Sequence, residues 1–152
     1  MINQLETNGY KLVGVLITHN HKHHVEGIRT LNKIYDTEIF GADYDVAGNK
    51  GNVLKDDGKI NIANFEILYF SVPGHSSDGM VFKIENVIFT GDSICAGTIG
   101  STTSKYSSKI LCDKINEKIF SQTDDTVLMP GHGPPTTIAS EKKFNIDMIS
   151  KK

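Results

Sequence analysis

A chain of 152 residues, 38% hydrophobic and 22% charged, is long enough for one domain with a real core and short for two, so residues 1–152 are expected to form a single domain. The net charge of -2 excludes the clustered Lys and Arg of a nucleic-acid binder, and no apolar run approaches the length of a membrane span. Neither a repeat of 20 to 50 residues nor a low-complexity tract stands out. The N-terminal "MINQLETNGYK" lacks the basic and then apolar pattern of a signal peptide, and the C-terminal "ISKK" reads as a solvated end rather than a polybasic anchor. Two cysteines, Cys95 and Cys112, make a weak disulfide framework, which points to a reducing cytoplasm.

Along the chain, residues 2–8 suit a short helix stopped by Gly9. "YKLVGVLIT" (10–18) predicts a strand whose near-continuous apolar run suits burial on both faces. Val25, Ile28, Leu31 and Ile34 recur at helical spacing and predict a helix over 24–34. "TEIFGA" is a short strand. "DYDVAGNKGNVL" (43–54) is a loop with one helical turn. "GKINIANFEILYFSV" predicts two strands turning near Ala63 and Asn64, and "GMVFKIENVIFTGD" a hairpin turning at Glu85 and Asn86. "SKYSSKILCDKINEKIF" is amphipathic, with Ile110, Leu111, Ile115 and Ile119 on one face. "DTVLMPGHGPP" is a strand and a sharp loop, and a last helix starts at Ser140. The order of elements favours an α/β class in which helices cover sheet.

All six histidines lie at or near predicted strand ends. His19, His21, His23 and His24 follow the first strand in "THNHKHH". His75 follows another in "SVPGHSSDG", and His132 a third in "LMPGHGPP". Asp92 ends a fourth in "FTGDS". Three of these sites share a pattern of apolar strand, nearby Gly, then His or Asp; the Gly lets the backbone turn sharply and approach a bound group. Strand ends that meet at one edge of a sheet form a rigid cradle. Imidazole and carboxylate together suit Zn, Fe, Mn or Ni. A catalytic zinc site uses three protein ligands, so this set exceeds one ion and suits two, about 3.5–4 Å apart and bridged by the carboxylate. Water on such an ion has a pKa of about 7. A lone histidine is more often a surface residue, and a His-rich tract can bind metal adventitiously. The confinement of every histidine to these three segments favours a built site.

Other chemistry-bearing residues carry less. Ser76, Ser77 and Asp78 suit a turn cap, with Asp78 a candidate partner for a ligating histidine. Lys105 and Tyr106 lie in a polar segment that reads as a solvent loop before a helix. Cys95 and Cys112 sit in apolar settings that argue against a nucleophile.

With "THNHKHH", "PGH", "GDS" and "GHG" in that order, the chain resembles the metallo-β-lactamase fold superfamily over nearly its whole length. It looks closest to the small glyoxalase II-like hydrolases, whose segment after the aspartate resembles "DSICAGTIG". The resemblance implies an α/β fold, an αββα sandwich with metals at one edge between two sheets. It implies that His19, His21 and His75 hold one ion, that His24 and His132 hold a second, and that Asp92 bridges them. The two divalent ions would be Zn, with Fe or Mn as alternatives. The implied reaction is hydrolysis of a small thioester or ester by metal-bound hydroxide. The superfamily motif is T-H-x-H-x-D-H, and this chain departs from it at His23, where the family carries an Asp that ligates the second metal and hydrogen-bonds the nucleophilic water. His23 is therefore a candidate ligand and catalytic residue, able to replace the ligation but not the charge.

Superfamily members carry several strands before the helix that precedes this motif, whereas this chain begins at that helix. Part of the first sheet is expected to be missing, leaving an exposed edge through which a second copy can pair. The further helical domain with which glyoxalase II binds glutathione is also not expected. The remaining partner is a small-molecule substrate, with no nucleic acid and no membrane. Two rival functions stand beside hydrolysis: a single-iron oxygenase of the persulfide dioxygenase type, and a truncated, non-catalytic metal-binding domain.

Overall fold

The computed structural model describes residues 2–149; the lysines of the solvated C-terminal end lie outside the described residues. Helix α1 (Ile2–Asn8) stops at Gly9, whose φ is +64°. Strand β1 (Gly14–Leu16) leads through α2 (Lys22–Val25) and α3 (Ile28–Tyr35) into β2 (Glu38–Gly41), which pairs with it in parallel. The crossover is helical, the usual connection between parallel strands. A small antiparallel ladder of β3 (Asp45–Val46) and β4 (Asn49–Lys50) precedes β5 (Asn52–Val53), which completes a three-stranded sheet in the order β1-β2-β5.

The second sheet is larger. It contains β6 (Gly58–Ile62), β7 (Phe65–Ser71), β8 (Met80–Ile84), β9 (Val87–Gly91), β10 (Val127–Pro130) and β11 (Thr136–Thr137), in the order β11-β10-β9-β8-β7-β6. Both predicted hairpin turns are present: Ala63 and Asn64 adopt φ of 51° and 70°, and Glu85 a φ of 51°. Between β9 and β10 run α4 (Lys105–Lys114) and a π-helical turn (Ile115–Ile119), where the Phe120 N–H reaches the Ile115 carbonyl. That extra residue per turn leaves both Ile115 and Ile119 fully buried. The chain closes with α5 (Ile138–Phe144) and α6 (Ile146–Ile149).

Three apolar clusters hold the layers together. Ile17, Val25, Ile28, Ile39 and Val46 pack α2 and α3 on the small sheet. Leu54, Ile67, Met80 and Phe82 join Leu16 and Phe40 between the sheets. Val81, Ile88, Leu111, Ile115, Leu128 and Ile138 pack the large sheet on the later helices. The period-2 geometry of strands makes this possible: Val81 faces the helices, while Met80 and Phe82 face the other sheet. The result is the expected αββα sandwich, with three strands in the first sheet and six in the second among the described residues.

Four local expectations fail, each for a tertiary or turn-chemistry reason. The strand expected over 10–18 has only three paired residues, all half-buried, and Tyr10 and Val13 are exposed. As an edge strand, β1 has neighbours on one side only, so its apolar run is not covered on both faces. The loop expected to contain a helical turn forms the β3–β4 hairpin instead. Ala47 and Gly48 take the positive φ of a tight hairpin turn, and the Asp45 carboxylate accepts from the Gly48 N–H. The helix expected over 24–34 breaks at Glu26 and Gly27, and Ile34 is exposed. The helix expected from Ser140 is α5 and starts at Ile138, because the Thr137 hydroxyl caps it by accepting from the Ser140 N–H, and α6 follows it.

Candidate metal centre

The strand directions bring the site together. β7 and β9 are each antiparallel to β8, and β9 is parallel to β10, so these three strands end at the same edge of the large sheet. His75, Asp92 and His132 follow those ends. The small sheet joins at the same edge, where the Met80 N–H donates to the Thr18 carbonyl. His19 and His21 thus enter between the sheets, and His24 follows on the first turn of α2. Two glycines let the strand ends close up. A Cβ on Gly91, whose φ is +51°, would lie 2.5 Å from the Thr18 hydroxyl, and one on Gly131 would lie 2.6 Å from Asp92 Oδ1. Both positions exclude side chains, because real Cβ atoms do not approach so closely.

The donor atoms form two overlapping groups. His19, His21 and His75 form one, and His19, His24 and Asp92 the other; within each, the ligand atoms lie within 4.8 Å of one another. Asp92 Oδ2 lies 3.9 Å from His19 Nε2, 3.5 Å from His24 Nε2 and 3.7 Å from His75 Nε2. These separations are too long for hydrogen bonds, yet close to the roughly 3.4 Å between two ligands held tetrahedrally about 2.1 Å from one ion. His132 Nδ1 lies 2.9 Å from Asp92 Oδ1. His19 Nε2 and His24 Nε2 are buried without a hydrogen-bond partner. An unsatisfied buried nitrogen costs free energy, and two of them aimed at a shared carboxylate fit a bound cation. The residues present therefore fit a divalent metal.

Electrostatics agree with a ligand set. Burial, reinforced by the neighbouring His24, pushes His19 down to about 4, so its ring is neutral and free to ligate at pH 7. For Asp92, burial works toward a higher value. The hydrogen bond from His132 and the charges of His24, His132 and His19 outweigh it and hold the carboxyl below its ordinary value. The Cys95 thiol is pushed up by burial and by the Asp92 and Glu141 carboxylates, which removes thiolate character. Cys95 and Cys112 are not joined in a disulfide.

Supporting contacts fix the ligands. His75 Nδ1 lies 2.7 Å from the Ser101 carbonyl. A carbonyl only accepts, so Nδ1 carries the proton and Nε2, 3.1 Å from His21 Nδ1, is free for a metal. Asp78 accepts from the Asn20 N–H at 2.6 Å, gripping the backbone between His19 and His21, and it also takes a hydrogen bond from the Ser76 hydroxyl. It therefore positions the histidine turn rather than a histidine ring. The Ser101 contact left no trace in the sequence, because it uses a backbone carbonyl.

His132, held through Asp92, belongs to neither group, and nor does His23. His23 is exposed and lines an apolar cleft of about 750 Å³ whose walls include Leu12, Leu16, Phe82, Ile84 and Phe89. Lys105 and Tyr106 open α4, whose cap is the Ser104 hydroxyl accepting from the Ser107 N–H, and Tyr106 is exposed.

No family model matches the chain. Over 99% of its length it is 29% identical to the hydroxyacylglutathione hydrolase GloC of Haemophilus influenzae and covers 82% of that protein. Its structure superposes on the B3 metallo-β-lactamase BLEG-1 with a TM-score of 0.86 at 22% identity, covering 97% of this chain and 82% of the other. The chain therefore has the metallo-β-lactamase fold. The structure of ETHE1 from Myxococcus xanthus also matches, with a TM-score of 0.86 at 20% identity over 98% of this chain and 72% of the other. Several curated relatives are much longer, and this chain spans 40% to 52% of their length. No helix among the described residues is long and apolar enough to cross a membrane.

Proposed function

We propose that this chain is a metal-dependent hydrolase acting on a small thioester or ester. The observation that carries the reading is the convergence of imidazoles from both sheets on the single Asp92 carboxylate, with two of their nitrogens buried and unpartnered. Under this reading His19, His21 and His75 hold one divalent ion, and His24, Asp92 and His132 a second, zinc being the best match to the donor set. A bound ion supplies Lewis-acid activation of water and polarises the substrate carbonyl. The chain does the rest: the Ser101 carbonyl keeps the His75 proton on Nδ1, Asp78 holds the turn between His19 and His21, and the His75, Asp92 and His132 loops form the rigid edge. Likeness to a hydroxyacylglutathione hydrolase over nearly the whole chain supports thioesters as the first substrates to try.

Elemental analysis followed by a panel of thioester, lactone and phosphoester substrates tests this. The expected result is thioester turnover that a chelator abolishes and added zinc restores. A metal-loaded chain inert toward the whole panel would instead favour a non-catalytic metal-binding domain.

A second reading has its own support. His23 lies outside both donor groups, and Asp92 is the only carboxylate in either of them. A single iron held by His19, His75 and Asp92, with oxygenase chemistry, fits that poorer second site. Purification without added metal separates the readings: stoichiometric iron and oxygen consumption with a persulfide favour the oxygenase, and zinc with thioester hydrolysis favours the hydrolase.

A further inference from the structure

Residues 93–100 form a small hairpin with both ends at the centre. One end is Asp92. The other is Ser101, whose carbonyl fixes the His75 ring. The hairpin is closed by the Ile94–Ile99 bridge, by the Cys95 N–H to the Thr98 carbonyl and by the Gly100 N–H to the Ser93 carbonyl. Its tip is gripped from the far side. The Glu141 carboxylate on α5, only 2% exposed, accepts from the Gly97 N–H at 3.0 Å, from the Thr136 hydroxyl at 2.8 Å and from Asn145 Nδ2 at 2.7 Å. The Ile146 N–H donates to the Gly97 carbonyl at 3.0 Å, and Asp147 accepts from the Ile99 N–H at 3.0 Å. Thus two carboxylates on the last two helices hold the tip and one side of the segment that carries Asp92.

A buried carboxylate is costly unless its lone pairs are filled, and here three donors fill them. No smaller acceptor serves all three, so the residue type is matched to the task. The hairpin is stiff within itself, and what holds its tip sets how its two ends sit against the histidines. Resting on the metal-centre reading above, we propose that Glu141 is a positioning residue for that centre, setting through Gly97 the placement of Asp92 and of the Ser101 carbonyl that orients His75.

The test is Glu141→Gln, which offers one acceptor oxygen and sets an NH2 group against the remaining N–H donors. Zinc affinity is measured by competition with a chromophoric chelator, at a temperature where circular dichroism shows the variant folded. The cobalt(II)-loaded absorption spectrum reports ligand geometry. Zinc binding at least about tenfold weaker, the effect typical of lost outer-shell partners, together with an altered cobalt spectrum, is the expected result. Asp147→Ala loosens the same hairpin from a half-buried position, so the question stays answerable if Glu141→Gln does not fold; it is expected to weaken zinc binding in the same direction. Lys142→Ala, on the outer face of the same helix, is expected to change nothing. Unchanged affinity and spectrum in both hairpin variants would overturn the inference while leaving the metal centre intact. A wild-type chain that binds no zinc would overturn both.

Discussion

The two sheets bring their ligands to the centre from unequal footings. On the large sheet, His75, Asp92 and His132 follow strands backed by Val72, Ile88, Leu111 and Leu128, all fully buried, and Asp92 leads into a hairpin tied to the last helices. On the small sheet, His19 and His21 follow a three-residue edge strand and His24 rides on the one-turn helix after it, in a layer whose core residues each keep some exposure. The difference teaches that the large sheet sets the position of the centre, and that the small sheet closes on it. A metal held there would add a further tie between the layers, beside the apolar cluster between the sheets and the Met80–Thr18 hydrogen bond.

The largest effect expected from breaking this arrangement is at Asp92, whose carboxylate lies within 4 Å of imidazoles from both sheets. Asp92→Ala is predicted to weaken metal binding by more than about a hundredfold, beyond the range of outer-shell changes, as read by chelator competition. Next come the cores. Leu128→Ala behind the large sheet should cost about 2–5 kcal/mol of stability, while Leu31→Ala, only half-buried on α3, should cost less than about 2 kcal/mol; denaturant unfolding of the metal-free chain compares them. Equal costs would remove the asymmetry.

Acid provides a third test. The folded value of His19 is about 4, against 6.5 for the unfolded chain. Above pH 6.5 neither state holds the proton, so nothing is lost there. Between 6.5 and 4 the unfolded chain takes up a proton that the folded chain does not, so stability falls as pH falls. The lowered Asp92 value acts in the same direction at still lower pH. The melting temperature of the metal-free chain should therefore drop between pH 6.5 and 4, and His19→Gln should flatten that part of the curve. The smallest effect is expected at His23. His23→Asp adds a carboxylate beside the second donor group and should keep or raise hydrolysis with a modest gain in binding of a second ion. Loss of activity in that variant would assign His23 itself a role in catalysis.

How far the sequence made this legible depended on how local each determinant is. The turns at Ala63–Asn64 and Glu85–Asn86 are decided by a few neighbouring residues and were readable. So were the strand-end motifs, because Gly91 and Gly131 stand beside the ligands whose approach they permit. The length of β1 was not readable, since it depends on a neighbour being present across the edge rather than on the apolar run itself. Nor could the fate of His23 be read from its neighbours. On an α-helix successive side chains diverge by about 100°, so α2 turns His24 toward Asp92 and His23 toward the cleft. Glu141 was hidden for a different reason: its partner Gly97 is 44 residues away in sequence, and a glutamate within "SEKKF" looks like any solvated helix residue.

The strand-end histidines and Asp92 are proposed to form a built metal centre bridging the two sheets. Thermal melting of the full chain, metal-free and then with stoichiometric and excess zinc, tests it most directly. Binding to the folded state alone raises stability by about 2.7 kcal/mol at a ligand concentration 100 times the dissociation constant. A clear rise in melting temperature with zinc, reversed by chelator and abolished in Asp92→Ala, is the expected result. A melting temperature indifferent to zinc and chelator would contradict it.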